Sequence, residues 1–448
     1  MKQYDASTHL DKMTRTGSVR SESAVLVGIY LEGQGKPTSP DVSPLDELAG
    51  LAEAAHVREV GRLVQYRNKP EVSTYIGSGK LDELKMLTEA NDADLVVFDN
   101  DLAPSQTKNL EEYLKLKVID RTELILDIFA SRAQTAEARL AVELAQLEYS
   151  LPRLKKMWTH LERQGVGGVG LRGPGEKQLE VDRRLAQKRI LDLKSDLHAI
   201  HDRRKREVAA RKRSSTVSLV GYTNAGKSTL LNKLTNADVF VKDMLFATLE
   251  TRTRRWALPG WGPVLLSDTV GFIRDLPHHL IASFRATLEE ANQADLLLHI
   301  ADATSLTLHE QIQSVNDVLR ELGLRERDIL LVLNKVDDLA ASDRIDPILS
   351  RYPNAVPISA KNGFGLDRLT DTVAEILSKS FLDITVEMSI GNGRLAALLA
   401  KEGEILSQQF TNETQSIHCR VPIYLVGKLR REKEITIHGL PDEPSQNW

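Results

Sequence analysis

The feature that most constrains the fold of this chain is a strand that runs directly into a glycine-rich loop and then a helix. The apolar strand TVSLV (216–220) is followed by GYTNAGKST and the helical LLNKLTN. In the spacing G-x-x-x-x-G-K-S, backbone N–H groups at the start of a helix cradle phosphate. We therefore expect an α/β P-loop domain with a central, mostly parallel sheet, whose phosphate-binding residues are Gly221, Tyr222, Thr223, Asn224, Ala225, Gly226, Lys227, Ser228 and Thr229.

A second motif lies further along the chain and supplies the metal end of the site. The strand at 265–267 ends in DTVG, where Asp268 is placed to hold Mg²⁺ through water and the Gly271 N–H to contact the γ-phosphate. In the P-loop, Lys227 is placed to reach the β- and γ-phosphate oxygens, and the Ser228 hydroxyl to bind Mg²⁺. These residues predict an enzyme that hydrolyses a nucleoside triphosphate.

Two more motifs select the base. In NKVD (334–337), the Asp337 carboxylate can accept hydrogen bonds from the N1–H and the exocyclic amine of guanine. Adenine would leave that carboxylate unpaired, which costs about 1–3 kcal/mol. Lys335 is placed over the base plane, and SAK (359–361) supplies a backbone N–H for the guanine carbonyl. The four motifs predict a GTP-binding domain over residues 214–380, with base contacts from Asn334, Lys335, Asp337, Ser359, Ala360 and Lys361.

A threonine between the P-loop and DTVG is expected to complete the metal site and to hold the γ-phosphate. The segment FATLETRTRR offers Thr248, Thr251 and Thr253. We favour Thr248, which follows the apolar anchor Phe246 at a typical distance, and we count both among the nucleotide-binding residues. Spacing alone leaves Thr253 open. The predicted catalytic set is Lys227, Thr248 and Gly271, and the predicted metal set is Ser228, Thr248 and Asp268.

The residue after DTVG is Phe272, where Ras-like enzymes carry the glutamine that orients the attacking water. Phenylalanine can neither donate nor accept a hydrogen bond. Either hydrolysis is slow in isolation, or a partner or another residue places the water. A phenylalanine packed under the loop is compatible with both interpretations.

Strands alternate with helices between residues 24 and 130, which predicts a small N-terminal α/β domain. Residues 1–23 are polar and aperiodic, and we expect a disordered tail. GSGK (77–80) follows a strand-like segment and opens a helix. Phosphate or RNA contact would fit that placement, but the segment lacks the upstream glycine of a P-loop, so we favour a turn that caps the helix.

Residues 131–213 predict two long antiparallel helices joined by a glycine-rich tip. Leucine and isoleucine recur at helical spacing in both halves, and the tip (165–175) has six glycines in eleven residues. Residues 152–213 carry a net charge of +10, against −14 for the rest of the chain. This basic arm, with Arg163, Arg172 and Lys177 near the tip, predicts contact with the phosphates of a polyanion such as RNA. A solvated charged face is the alternative.

The remaining features restrict the class of protein. Residues 381–448 combine strand and helix patterns and predict a small α+β domain without an assigned role. The single cysteine, Cys419, excludes an intramolecular disulfide and is expected to be buried. No apolar stretch approaches the ~20 residues that span a bilayer, and the first residues lack the apolar core of a secretory signal. We expect a cytoplasmic monomer and leave peripheral membrane contact open.

The motifs closely resemble those of the HflX family of translational GTPases. The resemblance covers about residues 24–380 and includes TYIGSGKLDEL, VIDRTELILDIFA, GVGGVGLRGPGEKQLEVDRR and DTVGFIRDLPHHL. It implies binding to the large (50S) ribosomal subunit and its rRNA, GTP-dependent splitting or rescue of stalled or idle 70S ribosomes, and hydrolysis stimulated by ribosomal subunits. A hydrophobic residue at the glutamine position is a family feature and matches Phe272. Where the family often has Asp-Pro after Ala-Thr-Leu, this chain has Glu250-Thr251.

Three other functions compete with ribosome splitting. One is RNA remodelling or an RNA chaperone role carried by the N-terminal domain, which would require activity from roughly residues 1–213 without the GTP-binding domain. A ribosome assembly GTPase on precursor subunits would need the same RNA contact and the same slow, stimulated hydrolysis, so the sequence does not separate it. A regulatory GTP switch that binds protein or membrane would need an apolar outer stripe on the hairpin, whereas the leucines and isoleucines suffice only for the two helices to pack on each other.

Overall fold

The computed structural model describes most of the chain. The described ranges are 22–31, 43–157, 174–210, 215–236, 245–246, 252–259, 261–274, 291–292, 294–321, 323, 329–338, 345–411, 413–432 and 435–440.

The N-terminal domain is built on four parallel strands in the spatial order β2-β1-β3-β4. The strands are β1 (Ser23–Leu31), β2 (Arg58–Arg67), β3 (Leu95–Phe98) and β4 (Lys117–Asp120). The helices are α1 (Asp46–Ala54), α2 (Ser78–Ala90), α3 (Pro104–Leu114) and α4 (Arg121–Arg132). Successive strand residues face opposite sides, so Leu26 packs with α1 and α4, whereas Val27 packs with α2 and α3.

GSGK lies where the sequence placed it, at the start of a helix. Helix α2 begins at Ser78, and the Gly77 N–H donates to Gln65 Oε1 at 3.1 Å. A Cβ at Gly77 would lie 2.6 Å from Arg67 Nη1, so the arginine side chain packs closely over the turn. These contacts favour the helix-opening turn over a phosphate site.

Two long helices follow, α5 (Ala136–Met157) and α6 (Pro174–Ala210). Their leucines and isoleucines form one seam, in which Leu144 and Leu147 pack with Ile190 and Leu193. Helix α6 already begins at Pro174, so the last two residues of the expected glycine tip are helical. Proline suits the first turn of a helix, since that turn needs no N–H from it. The rest of the tip lies outside the described residues.

The third domain has a six-stranded sheet in the order β10-β9-β8-β5-β7-β6, parallel except for β6. Its strands are β5 (Thr216–Gly221), β6 (Arg252–Leu258), β7 (Gly262–Asp268), β8 (Leu296–Asp302), β9 (Ile329–Asn334) and β10 (Val356–Pro357). Its helices are α7 (Lys227–Thr235), α8 (Leu308–Glu321), α9 (Ile345–Arg351) and α10 (Leu366–Ser380). The predicted mostly parallel sheet is confirmed.

The C-terminal domain is an antiparallel sheet in the order β12-β13-β11-β14. It comprises β11 (Phe381–Ser389), α11 (Gly393–Glu402), β12 (Glu404–Phe410), β13 (Thr414–Pro422), α12 (Ile423–Leu429) and β14 (Ile435–His438). Cys419 is fully buried in its core, as expected, and burial raises the pKa of its thiol to about 12.

Strand β12 has no clear sequence signature, because it is an edge strand with mostly exposed side chains and no alternation of polar and apolar residues. Arg420 connects the domain to the β6–β7 hairpin, because it pairs with Asp383 at 2.8 Å and stacks on the ring of Trp261 at 3.8 Å.

No helix among the described ranges has the length and apolar character needed to cross a bilayer.

Candidate nucleotide-binding site

The P-loop runs from the end of β5 to the start of α7, and two of its glycines are required by geometry. Gly221 has φ +150°, and a Cβ there would collide with the carbonyl oxygen of Ile300 on the neighbouring strand β8. Gly226 has φ +91°, and a Cβ there would collide with the side-chain amide of Asn334. The loop therefore lies directly against the carboxyl-terminal ends of β8 and β9, and the base motif begins at the end of β9.

Lys227 is buried at the first position of α7 and is held inside the loop. Its Nζ donates to the carbonyl oxygens of Gly221 at 3.0 Å and Tyr222 at 2.8 Å. Burial lowers the pKa of this amine to about 8, and the nearby Asp268 carboxylate opposes that shift. The ammonium is thus positioned by two carbonyl dipoles, and the phosphates of a nucleotide would restore the charge that burial disfavours.

The metal end of the site is formed where α7 meets the end of β7. The Ser228 hydroxyl donates to Asp268 Oδ2 at 2.6 Å, and Asp268 is fully buried. A hydroxyl and a carboxylate side by side are hard oxygen donors, which fit Mg²⁺. Thr248, the third predicted ligand, lies outside the described residues, as does Thr251. Thr253 lies in strand β6 with its Oγ1 3.1 Å from Ser267 Oγ, which makes it a residue of the sheet.

Asn334 connects three motifs at the guanine end. Its side-chain amide donates to the Ala225 carbonyl oxygen at 2.8 Å, and its Oδ1 accepts from the Ala360 N–H at 2.9 Å. All three residues are buried. Asn334 was predicted to contact the base, and the structure shows how it fixes the P-loop and the SAK segment relative to each other.

The other base residues surround Asn334. Lys335 has φ +66°, and its Nζ pairs with Asp302 at 2.7 Å, a partner that the sequence analysis missed. Asp337 is exposed, so its carboxylate can reach a base. Ser359 is fully buried, and its Oγ accepts from the Asn362 N–H at 3.2 Å. Lys361 is exposed.

The DTVG turn is fastened to the P-loop through Phe272. Its N–H donates to the Gly221 carbonyl at 3.1 Å, and its carbonyl accepts from the Thr223 N–H at 2.7 Å. The ring is 2% exposed and packs with Leu297 and Val315. Phe272 is therefore the packed phenylalanine that the sequence analysis considered, and its ring points into the core.

A second set of contacts joins the site to the N-terminal domain. These contacts involve Tyr222 of the P-loop, Arg274 after the DTVG turn, and Phe246, which together we call the switch end. The Tyr222 hydroxyl donates to Glu47 Oε1 of α1 at 2.5 Å and accepts from the Arg274 N–H at 2.6 Å. Arg121 pairs with Glu47 at 2.9 Å and with Asp99 at 2.7 Å, and Arg274 pairs with Asp99 at 2.8 Å. Two acids, two arginines and Tyr222 thus form a mostly buried network, the Glu47 network, and the Tyr30 hydroxyl also donates to Asp99 Oδ2 at 3.2 Å.

The Glu47 network is electrostatically balanced. Burial on its own raises the pKa of Glu47, but the charges of Arg121 and Arg274 and the hydrogen bond from Tyr222 more than offset this, so the pKa is lowered. Burial also raises the pKa of Tyr222 well above its usual value, reinforced by the adjacent Glu47 charge. The carboxylate is therefore ionised and the phenol protonated, as the hydrogen bond between them requires.

Phe246 makes an apolar contact with the N-terminal domain, in addition to the polar contacts of the Glu47 network. It is 2% exposed and packs edge-on against Phe129 of α4, with ring centroids 4.7 Å apart. Its neighbour Leu245 accepts a hydrogen bond from Arg132 Nη1 at 2.7 Å. Phe246 was predicted as a nucleotide-binding anchor, and the structure places its ring in the core of the N-terminal domain.

The predicted RNA contacts lie mostly beyond the described part of the chain. Arg163 and Arg172 are outside it, and for Lys177 only the helical backbone of α6 is described.

Comparison with known proteins shows what the chain is similar to. Three family models match: GTP-binding GTPase N-terminal at residues 43–130, GTP-binding GTPase Middle Region at 132–211, and 50S ribosome-binding GTPase at 216–335. GTPase HflX of Escherichia coli K12 is 44% identical over 90% of this chain and 94% of its own. GTPase HflX of Caldanaerobacter subterraneus is 43% identical over 91% and 93%. A GTP-binding protein from Sulfolobus solfataricus, solved with GDP, is 26% identical, with a TM-score of 0.40 over 80% of this chain and 99% of its own.

Proposed function

Since the chain belongs to the HflX family of GTPases, we propose that it docks on the large ribosomal subunit and uses GTP binding and hydrolysis to split or rescue stalled or idle ribosomes. The family supplies the GTPase activity and the 50S ribosome-binding GTPase domain. The splitting step, the contact of Arg163, Arg172 and Lys177 with rRNA, and action as a cytoplasmic monomer are parts of the proposal.

One observation carries the proposal: two consecutive residues connect the basic hairpin to the nucleotide site. Asp120 accepts hydrogen bonds from Tyr149 at 2.7 Å and Arg153 at 2.9 Å, both on the hairpin helix α5. The next residue, Arg121, belongs to the Glu47 network that holds Tyr222 of the P-loop. A force or displacement at the hairpin therefore has a short polar route to Tyr222 of the P-loop.

Each residue of the nucleotide site has a distinct role in the proposed hydrolysis. Lys227 and the P-loop backbone hold the phosphates, the Gly271 N–H contacts the γ-phosphate, and Asp337 selects guanine. Ser228 and Asp268, with Thr248 as proposed third partner, would hold Mg²⁺, which supplies charge neutralisation on the β- and γ-phosphate oxygens when bound. GTP and Mg²⁺ bring Thr248 and the DTVG turn onto the γ-phosphate, the GTP-bound protein then docks on the large subunit with its hairpin, and hydrolysis releases the factor.

The experiment that tests this proposal measures GTP turnover by the full-length protein, alone and with purified large subunits, followed by light scattering of 70S ribosomes. We expect a rise in turnover of about tenfold or more, equal to ~1.4 kcal/mol of barrier, and GTP-dependent dissociation of 70S particles. Normal GTP binding with no stimulation would contradict docking. Stimulation without dissociation, or with precursor subunits only, would contradict splitting and favour an assembly role.

A charge-reversal variant tests the hairpin contact itself. Arg172→Glu is expected to weaken binding to the large subunit, with a smaller salt dependence, because one phosphate contact is lost. Its GTP affinity should stay at the wild-type value. The matched control is Arg394→Glu, an exposed arginine on α11. Equal loss of subunit and GTP binding in Arg172→Glu would mean that the residue is structural.

A further inference from the structure

The structure raises the question of which group places the attacking water. Phe272 holds the position that a water-orienting residue would have, but its ring is buried among Leu297 and Val315. Its N–H and its carbonyl are both bonded to the P-loop, to Gly221 and Thr223. Turning the ring toward the nucleotide would remove an apolar side chain from the core, and a phenyl ring has no group that could orient a water by a hydrogen bond, so another group has to hold the water.

Thr223 lies where the P-loop, the DTVG turn and the P-loop lysine meet. A Cβ built on Gly271 would lie 2.7 Å from Thr223 Cγ2, 2.9 Å from Thr223 Cα and 3.1 Å from Lys227 Nζ. Gly271 and Lys227 are the two residues whose N–H and ammonium are suited to the γ-phosphate. The Thr223 side chain is therefore at the γ-phosphate end of the site.

The Thr223 hydroxyl differs from its neighbours in having no hydrogen-bond partner among the described residues. The side chain is 6% exposed, and Oγ1 itself is buried. The neighbouring hydroxyls are engaged, Ser228 with Asp268 at 2.6 Å and Thr269 with the Leu219 carbonyl at 2.7 Å. A buried hydroxyl without a partner is unfavourable, and such a group at a ligand site calls for a functional explanation.

We propose that the Thr223 hydroxyl positions the attacking water during GTP hydrolysis. It accepts a hydrogen bond from the water, which turns a water lone pair toward the γ-phosphorus. The water oxygen bonds to phosphorus, the bond from phosphorus to the β–γ bridging oxygen breaks with its electron pair going to GDP, and the water proton ends on inorganic phosphate. Thr223 itself stays protonated, because an alcohol is far too weak a base to take that proton at neutral pH. This role concerns the GTPase activity and does not depend on ribosome splitting.

Two substitutions separate positioning of water from packing against Gly271. Thr223→Val keeps the branched shape and the methyl group at Cγ2 but lacks the hydroxyl, whereas Thr223→Ser keeps the hydroxyl but lacks the methyl. The assay is single-turnover hydrolysis of GTP by the full-length protein without ribosomes, beside the affinities for GTP and GDP. Thr370→Val on α10 is the matched control, since it removes a hydroxyl that bonds a helix carbonyl far from the P-loop in sequence.

The proposal predicts that Thr223→Val lowers the hydrolysis rate about tenfold or more, in the range found when one positioned group is removed, while both nucleotide affinities change by less than about threefold. Thr223→Ser should hydrolyse GTP about tenfold or more faster than Thr223→Val. A wild-type rate in Thr223→Val, or equal losses in the two variants, would overturn the proposal in favour of packing.

A second measurement separates a folded valine variant that cannot place the water from one that folds poorly, because only the folded variant still binds GDP. Binding of GDP with aluminium fluoride mimics the transition state, in which the attacking water is already in place. We expect Thr223→Val to bind GDP normally and to lose the extra affinity gained with aluminium fluoride, and Thr223→Ser to keep it. If the valine variant gains the same affinity as the wild type, the hydroxyl does not hold the water.

Discussion

The two ends of the nucleotide site are built in different ways. At the guanine end, Asn334 joins the P-loop and the SAK segment through Ala225 and Ala360, and all of these residues belong to one domain. At the switch end, Tyr222 and Phe246 have their partners in the N-terminal domain, in Glu47 and Phe129.

This difference separates recognition of the nucleotide from control of its hydrolysis. The guanine end is complete within the third domain, so its affinity for the base should be insensitive to the N-terminal domain. The switch end shares buried charges with a domain that also carries the basic hairpin. Because coupling between sites needs an element that both can bias, the switch end is where a ribosomal partner can act.

The largest expected effect comes from the apolar contact at the switch end. Phe246→Ala should destabilise the full-length protein by about 3–5 kcal/mol, the usual cost of emptying a buried phenylalanine site. Denaturant unfolding measures this, with Phe364→Ala as control, since Phe364 at the guanine end is 61% exposed. Equal, small losses in both variants would show that Phe246 is not docked on the N-terminal domain.

The next effect falls on the guanine end. Asn334→Ala removes two buried hydrogen bonds and leaves the Ala225 carbonyl and the Ala360 N–H unpaired, so GDP affinity should fall by about 2–4 kcal/mol, roughly 30- to 1000-fold. Fluorescent-nucleotide titration measures the change. The control is Glu47→Gln, which should leave GDP affinity within about threefold. A parallel loss in the control would remove the distinction between the two ends.

The smallest effect is a pH dependence from Lys227. In the unliganded protein its pKa is about 8, lowered by burial. The negative phosphates of a bound nucleotide are expected to raise it. The amine has therefore lost its proton above pH 8 and must regain it on binding, so affinity falls as pH rises, by at most about tenfold per pH unit. Calorimetry at pH 8.5 in two buffers of different ionisation enthalpy should show uptake of a proton. No uptake, or the same pH slope in Lys227→Arg, would contradict this origin.

The sequence predicted the parts of the site that are contiguous in the chain. The P-loop, DTVG, NKVD and SAK segments each follow a strand, and the sheet brings the ends of those strands together. Asp302, the partner of Lys335, was missed because a single acid at the end of β8 has no motif of its own.

The network at the switch end could not be predicted in this way. Glu47 lies in the first turn of α1, where an acid is common because it favours the helix dipole. Its partner Tyr222 is 175 residues away. Phe246 was recognised as an anchor, but no neighbouring residue in the sequence indicated that its ring is buried in the core of another domain. Thr248 and the arginines of the tip stay predictions.

The most direct test of the central claim is a double-mutant cycle between Tyr222→Phe and Glu47→Gln, read out as single-turnover GTP hydrolysis by the full-length protein. If the N-terminal domain acts on the switch end through the Tyr222 hydroxyl, Glu47→Gln should change the rate in the wild-type background and have a smaller effect beside Tyr222→Phe. The expected coupling is about 1.5–3 kcal/mol, as for a hydrogen bond to a charged group. An identical rate change in both backgrounds would contradict the account.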